Sequence, residues 1–420
     1  MVQLVIYFIM NVVNKNLEVR IYPSKVDRND KGEKIASLDS ILSNIGISRF
    51  IFNQELAFIN NFRRLLVENG YEDRVIVNNS SCNCILKMLK NDYSFMEKAE
   101  SSSRQQSQRD LITAFKRYHN PNLKSNYPRF KKKKDNKGSF RIINNNNNIR
   151  IQKDKYGYDK IKLAKLGLVK FKTSKKYKEL LHKATNKNDQ TAKINHITIK
   201  KENNKYYAVF NIECIHTPHK IIGPKQQIGI DIGCGKLAVL SNKQEIPNLD
   251  LTKETEKIIH YTKIMSHTRK NSNRYQKAKK LYQKWMKKLV NKRNDYYNKI
   301  TTYIVQNSSF IAVQNENIIA WKKNKHLSHN LQLNAPRTFM DKIEYKCKWN
   351  NIPFIKVPKK FPSTQICSNC KKQNTNIKGI QNIGIRTWKC QKCNTIHDRD
   401  INASINILNE GLKIVGTTMQ

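Results

Sequence analysis

The 420-residue chain contains no apolar run of the roughly eighteen or more residues needed to span a bilayer, and a membrane partner is not expected. Acidic residues are scarce: 32 Asp and Glu stand against 79 Lys and Arg, leaving a formal net charge of +47. Such an excess repels itself in a compact fold unless a polyanion offsets it, so nucleic acid is the expected partner. Neutralising about six to ten phosphates would weaken binding by roughly three to five decades between low and physiological salt. The nine cysteines are too few and too unevenly spread for a disulfide scaffold. Five of them, Cys82, Cys84, Cys214, Cys234 and Cys347, are scattered and read as reduced thiols, and a cytoplasmic location is expected. Met1 to Val13 is apolar but lacks a basic leader and a small-residue cleavage site, which makes it a poor signal peptide and Met10 an alternative start. No internal repeat is visible.

The other four cysteines form two Cys-x-x-Cys pairs, Cys367 with Cys370 and Cys390 with Cys393, separated by nineteen residues. That spacing is the signature of a ribbon whose thiolates bind zinc tetrahedrally at about 2.3 Å. Four thiolates complete the site, so His397 reads as a surface or active-site neighbour rather than a ligand. Directly after it come Asp398, Arg399 and Asp400, then a helical stripe of Ile401, Ile405 and Leu408. Ala403 and Ser404 are small enough to let that helix approach a sheet closely.

Upstream, Leu17, Val19 and Ile21 alternate as in a strand that ends at Pro23. Leu38 to Leu66 has helical spacing, and Gly46 is expected to divide it into two helices. Residues 71–120 are polar and weakly helical. In PRFKKKKDNKGSFRI, Arg129, Lys131, Lys132, Lys133 and Arg141 are interleaved with Phe130 and Phe140, a pattern suited to phosphate contact with base or sugar packing. Asn144 to Asn148 reads as a hairpin turn, and residues 120–222 as a small β domain. Residues 253–306 have the periodicity of a helical hairpin with a basic face.

Three acids could carry chemistry. In Ile228 to Gly233 the isoleucines point to one face and Gly229, Asp231 and Gly233 to the other, so Asp231 has room for a metal ion but needs a partner if buried. In FIAVQNEN, Phe310, Ala312, Gln314 and Glu316 share a face, and Glu316 is its only acid. Asp400, or failing it Asp398, supplies the third. Converging carboxylates of this kind hold two magnesium ions, which activate water and stabilise the leaving oxygen of a phosphodiester.

IGIDIGCGKLAVLS, FIAVQNENI, the double Cys-x-x-Cys and HDRDINASINIL, in this order, resemble the RuvC-like core of the TnpB/OrfB family encoded by insertion sequences. LEVRIYPS, FNQELAF and YPRFKKKKDNKGSFRI extend the likeness over most of the chain. The resemblance implies an α/β multi-domain fold. Its RNase H-like nuclease core occupies 224–362 and 395–412, and a zinc ribbon occupies 363–394. A barrel-like wedge domain at 1–30 and 120–223 carries a helical recognition domain at 31–119, and 413–420 form a tail. It further implies an RNA-guided DNA endonuclease with guide RNA and target DNA as partners, structural zinc and catalytic magnesium. Asp231 matches the family's first acid and Asp400 its third. Members commonly carry Glu where this chain has Gln314, and Glu316 lies two residues, roughly 6.5 to 7 Å, further along the same face. Either a local bulge restores the geometry or the protein binds DNA under RNA guidance without cutting. No nucleophilic tyrosine with a paired-histidine cluster is present for strand transfer, despite the family's historical transposase label.

Overall fold

A computed structural model describes residues 11–418 apart from 29–31, 73–74, 124, 134–136, 155, 187, 217–224, 234, 316–330, 378–381 and 383. Its described residues divide into two compact units, 12–215 and 216–418. No helix among the described residues is long and apolar enough to cross a membrane.

The first unit is built on β1 (Asn11–Tyr22), β2 (Lys137–Ile143), β3 (Arg150–Lys153), β4 (Asp159–Leu163), β5 (Gly167–Lys172), β6 (Ala192–Glu202) and β7 (Lys205–His216). These form one sheet in the order β2-β6-β7-β1-β5-β4-β3. Ala208, Phe210, Ile212 and Cys214 alternate into the core along β7, as the period-2 pattern requires. The tight turn between β6 and β7 is made by Asn203 and Asn204, both with positive φ, the conformation a two-residue hairpin needs and asparagine tolerates. Asn146 and Asn147 also take positive φ, but the turn they make is not a hairpin. It joins β2 to β3, the two opposite edges of the ladder. A link of six residues reaches at most about 25 Å, so the sheet must curl to bring its ends together. No ladder between β2 and β3 is found among the described residues.

Between β1 and β2 lie α1 (Leu38–Glu68), α2 (Asn79–Asp92) and α3 (Ser101–His119), and α4 (Lys175–Thr185) follows β5. Ser37 caps α1 by accepting from the Ser40 amide at 3.1 Å. Contrary to the expected break, α1 runs through Gly46 as one helix of 31 residues. A mid-helix glycine costs only about 1 kcal/mol relative to alanine. Burial of Ile41, Ile45, Ile47, Ile51, Phe52, Leu56 and Ile59 along the same helix far outweighs that.

The second unit contains β8 (Gln226–Asp231), β9 (Ala238–Leu240), β10 (Glu245–Ile246), β11 (Ser308–Gln314) and β12 (Phe354–Val357), with order β10-β9-β8-β11-β12. β8, β11 and β12 are parallel and β9 is antiparallel to β8, the RNase H-like arrangement. α5 (Thr252–Ser266), α6 (Asn273–Gln306) and α7 (Pro336–Trp349) belong to the same unit. Ile228, Ile230, Ile311 and Val313 pack with Tyr297 and Ile304 of α6 and Phe339 and Ile343 of α7 on one face. Phe310 and Ala312 pack with Ile407 of α8 (Arg399–Thr418) on the other. The α5–α6 hairpin is pinned by Glu254, which is buried between Lys288 and Lys292 at 3.3 Å each. α8 continues to Thr418, through the residues expected as a tail. Just before α8, β13 (Thr387–Lys389) and β14 (Ile396–Asp398) pair antiparallel inside the cysteine-bearing segment.

Candidate active site and metal centre

Two glycines fix the distance between sheet and final helix. A Cβ on Gly229 would strike the Ser404 carbonyl oxygen and lie 2.7 Å from the Leu408 amide nitrogen. One on Gly411 would lie 2.5 Å from the Ala312 Cβ. α8 therefore rests directly on β8 and β11, and Asp231, two residues past Gly229, projects from the same face of β8. The turn after β8 then meets the start of α8. An ideal Cβ on Gly235 would sit 3.6 Å from Nη2 of Arg386, whose Nη1 is 3.3 Å from Oδ2 of Asp400. Lys236, next in that turn, bonds Oε1 of Glu245 at 2.5 Å. Glu245 chiefly raises its pKa, and the charges of Asp398 and Asp400 add to the effect. Asp231 thus ends β8 and Asp400 begins the helix packed on that strand, with Arg386 paired to Asp400 and Lys236 within reach of its charge.

Asp398 has a different task from Asp400. Its Oδ1 accepts from the amides of Asp400 at 3.0 Å and Ile401 at 2.9 Å, so it caps α8 and satisfies orphan donors of the first turn. Asp400 stays half-buried with Arg386 as its ion-pair partner. Gln314, beside Asp231 in the parallel register, is buried and engaged at both ends. Its Nε2 donates to the Phe361 carbonyl at 2.7 Å, and its Oε1 accepts from the Ser363 hydroxyl at 2.6 Å. Glu316 lies outside the described residues, as does Cys234.

The four cysteines converge. Their sulfurs lie within 4.8 Å of one another, the only metal-competent group of three or more His, Cys, Asp or Glu among the described residues. Cys367 and Cys393 approach to 3.5 Å, as do Cys370 and Cys390. Each Cys-x-x-Cys turn is followed by a residue at positive φ, Lys371 at 64° and Asn394 at 55°. The Lys371 and Asn394 amides return to the carbonyls of Cys367 and Cys390, both at 2.9 Å. Hydrogen bonds centred on Thr395 hold the Cys393 thiol down to about 6. Four soft thiols gathered this closely form a donor set able to hold a metal ion, of the kind that suits zinc. His397 is not a surface residue: it is buried against Trp388, and its Nε2 lies 3.0 Å from Sγ of Cys367. Burial also lowers its pKa.

The basic residues separate. Lys131 and Lys132 line a cleft of about 470 Å³ together with Arg49, Lys137, Lys200 and Lys201. Lys131 is held there by its backbone, which exchanges two hydrogen bonds with the Asn53 side chain, at 2.8 and 3.1 Å. Its ammonium packs 3.8 Å over Phe52, where desolvation lowers its pKa. Arg129 and Lys133 are exposed but do not line the cleft, and Arg141 is half-buried with its Nε on Thr198 Oγ1 at 3.3 Å. Sequence reasoning missed Arg49, Lys200 and Lys201, whose signal is a fold that gathers distant segments. It also missed Lys236, Arg386 and the bonds of Asn402, which it used only as the spacing mark of Asp400.

Residues 210–324 match the family model described as "Probable transposase", and residues 337–407 match "Cas12f1-like, TNB domain". A "Putative RNA-guided DNA endonuclease" of Streptomyces pristinaespiralis is 26% identical over 186 residues, 44% of this chain and 45% of that protein. The match thus spans less than half of that relative. "Putative RNA-guided DNA endonuclease InsQ" of Escherichia coli K12 is 24% identical over 87% of both chains. Among solved structures, the "Cryo-EM structure of the Cas12f1-sgRNA-target DNA complex" aligns over 95% of this chain and 99% of that one. Its TM-score is 0.55 at 16% identity, a likeness of fold.

Proposed function

We propose that this chain, which belongs to the TnpB/OrfB family, is an insertion-sequence RNA-guided DNA endonuclease whose partners are a guide RNA and a target DNA. The observation that supports this reading is the packing of the final helix, which begins with Asp400 just after a four-thiol cluster, directly on the strand that ends in Asp231. Few, hard carboxylate donors suit magnesium, which keeps several waters and is commonly held by one or two carboxylates plus substrate phosphates. Asp231 and Asp400 would hold it, and when bound it would supply charge to an attacking water and to the leaving oxygen of a phosphodiester. In the free protein Arg386 neutralises Asp400, and Lys236 adds positive charge where a scissile phosphate would have to sit. The domain limits expected from the sequence, with the former tail taken into α8, are part of the same proposal. Within the first unit, the cleft lined by Arg49, Lys131, Lys132, Lys137, Lys200 and Lys201 would track a nucleic-acid backbone.

One observation favours a second reading, RNA-guided DNA binding without cleavage. Gln314 occupies the position where the family commonly carries Glu, and both ends of its amide are committed to Phe361 and Ser363. The second acid must then be Glu316 or be missing. Purified ribonucleoprotein with magnesium and a matched plasmid separates the readings. Glu316→Gln abolishes cutting and leaves RNA binding intact if the nuclease is active. A wild-type protein that binds target and leaves it as intact as Asp231→Ala does is the non-cutting form.

A further inference from the structure

The ribbon is tied to α8 by more than the chain that joins them. Asn402, in the second turn of α8, is 1% exposed. Its Oδ1 accepts from the Ser368 amide at 2.8 Å, and its Nδ2 donates to the Ile366 carbonyl at 2.7 Å. The two bonds bracket Cys367, one on each side, as a neighbouring strand would. A side-chain amide carries a donor and an acceptor on separate atoms, as such a bracket needs. One turn on, Asn406 donates to the carbonyls of Ser363 at 2.9 Å and Ile366 at 2.6 Å. From the other side of Cys367, His397 reaches its sulfur at 3.0 Å, and His397 is next to the Asp398 that caps α8. The backbone on either side of one cysteine of the metal centre is thus bonded to α8, and its sulfur to the residue just before the Asp398 cap.

We infer that Asn402 is a positioning residue that couples zinc at the four cysteines to the placement of Asp400. This rests on the reading of Asp400 as a ligand of the nuclease metal. With zinc bound, Cys367 is fixed by a metal shared with Cys370, Cys390 and Cys393, and Asn402 transmits that rigidity to α8. With zinc removed, the segment from Ile366 to Ser368 is free to shift, and the first turn of α8 loses the anchor two residues from Asp400. The ribbon then sets the affinity of the nuclease centre for its cation.

The test uses the full chain in four forms: wild type and Asn402→Ala, each with zinc and after zinc depletion. Amide hydrogen exchange is followed in peptides covering 366–370 and 398–406, and Mn²⁺ binding is followed by electron paramagnetic resonance against an Asp231→Ala baseline. Cobalt(II) substitution reports through its thiolate absorption bands that Asn402→Ala still forms the four-cysteine site. Zinc depletion of the wild type should speed exchange in 398–406 and weaken Mn²⁺ about tenfold, the scale of losing an outer support of a metal site. Asn402→Ala should do the same with zinc in place, and depleting it further should add nothing. Losses that multiply, or an Asn402→Ala protein that exchanges and binds Mn²⁺ as wild type does, overturn the coupling. If Asn402→Ala does not form the cobalt site, depletion of the wild type alone decides it: unchanged exchange in 398–406 overturns the proposal. Wild-type Mn²⁺ binding no stronger than that of Asp231→Ala instead defeats the nuclease reading, and the exchange data still decide whether zinc holds α8.

Discussion

The two compact units differ in how they concentrate their functional groups. The unit spanning 216–418 places a few thiols, carboxylates and amides at fixed points, held by glycine contacts and bonds of 2.6 to 3.3 Å. The unit spanning 12–215 offers a cleft whose six cations come from an α-helix, a connecting segment and two strands. Fixed points suit chemistry, in which a displaced atom loses the reaction, whereas distributed charge suits a polyanion that needs no single contact. Substitutions should therefore act as all-or-none in one unit and by degrees in the other.

The sharpest break should come at the ribbon. Cys390→Ser removes a thiolate from a complete set of four, and the protein should lose its equivalent of zinc by metal analysis. The hairpin of β13 and β14 should lose exchange protection, because structural zinc contributes folding energy outright. Next in size, Asp231→Ala or Asp400→Ala should lower magnesium-dependent plasmid cleavage by at least about a hundredfold, since metal-borne charge supplies several kcal/mol of transition-state stabilisation. Guide-RNA affinity should be unchanged in both. A graded loss of cleavage would break the comparison from the side of the chemical unit.

Glu55 tests the other unit, because it is a fixed point with no partner. It is fully buried in α1, and neither carboxylate oxygen has a hydrogen-bond partner among the described residues. Desolvation raises its pKa to about 8, and its charge in turn helps raise that of the neighbouring Cys82. Between about 4.5 and 8 the folded protein keeps a proton that the unfolded chain releases, so stability falls as pH rises through that window and levels off above it. Glu55→Gln should abolish this dependence and be more stable at pH 8 by on the order of 3–5 kcal/mol, as read by denaturant unfolding at pH 5 and pH 8. A wild-type stability that does not fall over that range would show that Glu55 is solvated or paired in solution. Gln314→Glu acts in the opposite sense within the chemical unit. It would set a buried carboxylate against the Phe361 carbonyl, so it should cost about 1–3 kcal/mol and give no cleavage above wild type. A gain in cutting would identify position 314 as an idle metal site.

How much of this was legible in the sequence follows the same division. The grouping of the four thiols and the faces of β8 and β11 could be read from short contiguous motifs, because period-2 alternation and Cys-x-x-Cys spacing are local properties. The break predicted at Gly46 failed because tertiary burial along α1 overrides one weak helix former. The hairpin predicted at Asn144 to Asn148 failed because a turn does not reveal which strands pair. Asn402 marked Asp400 by its spacing, but its bonds gave no signal, since its partners Ile366 and Ser368 lie more than thirty residues away and it bonds only their backbone.

The basic cleft was hidden for the same reason, and its substitutions should have the smallest effects. Lys200 is half committed already: its ammonium lies 2.6 Å from Glu18 and 3.8 Å from Glu202. Lys132 and Lys201 carry no ion pair among the described residues. Lys132→Ala or Lys201→Ala should therefore each remove about one phosphate contact, reducing the slope of log affinity against log salt by roughly 0.7 to 0.9. Lys200→Ala should reduce it less, because part of its charge is spent on Glu18. Titrations of guide RNA and of target duplex across salt, for each variant, would rank the three. If Lys200→Ala alone abolished binding at all salt concentrations, the cleft would be a fixed point like Asp231, and the contrast between the two units would fail.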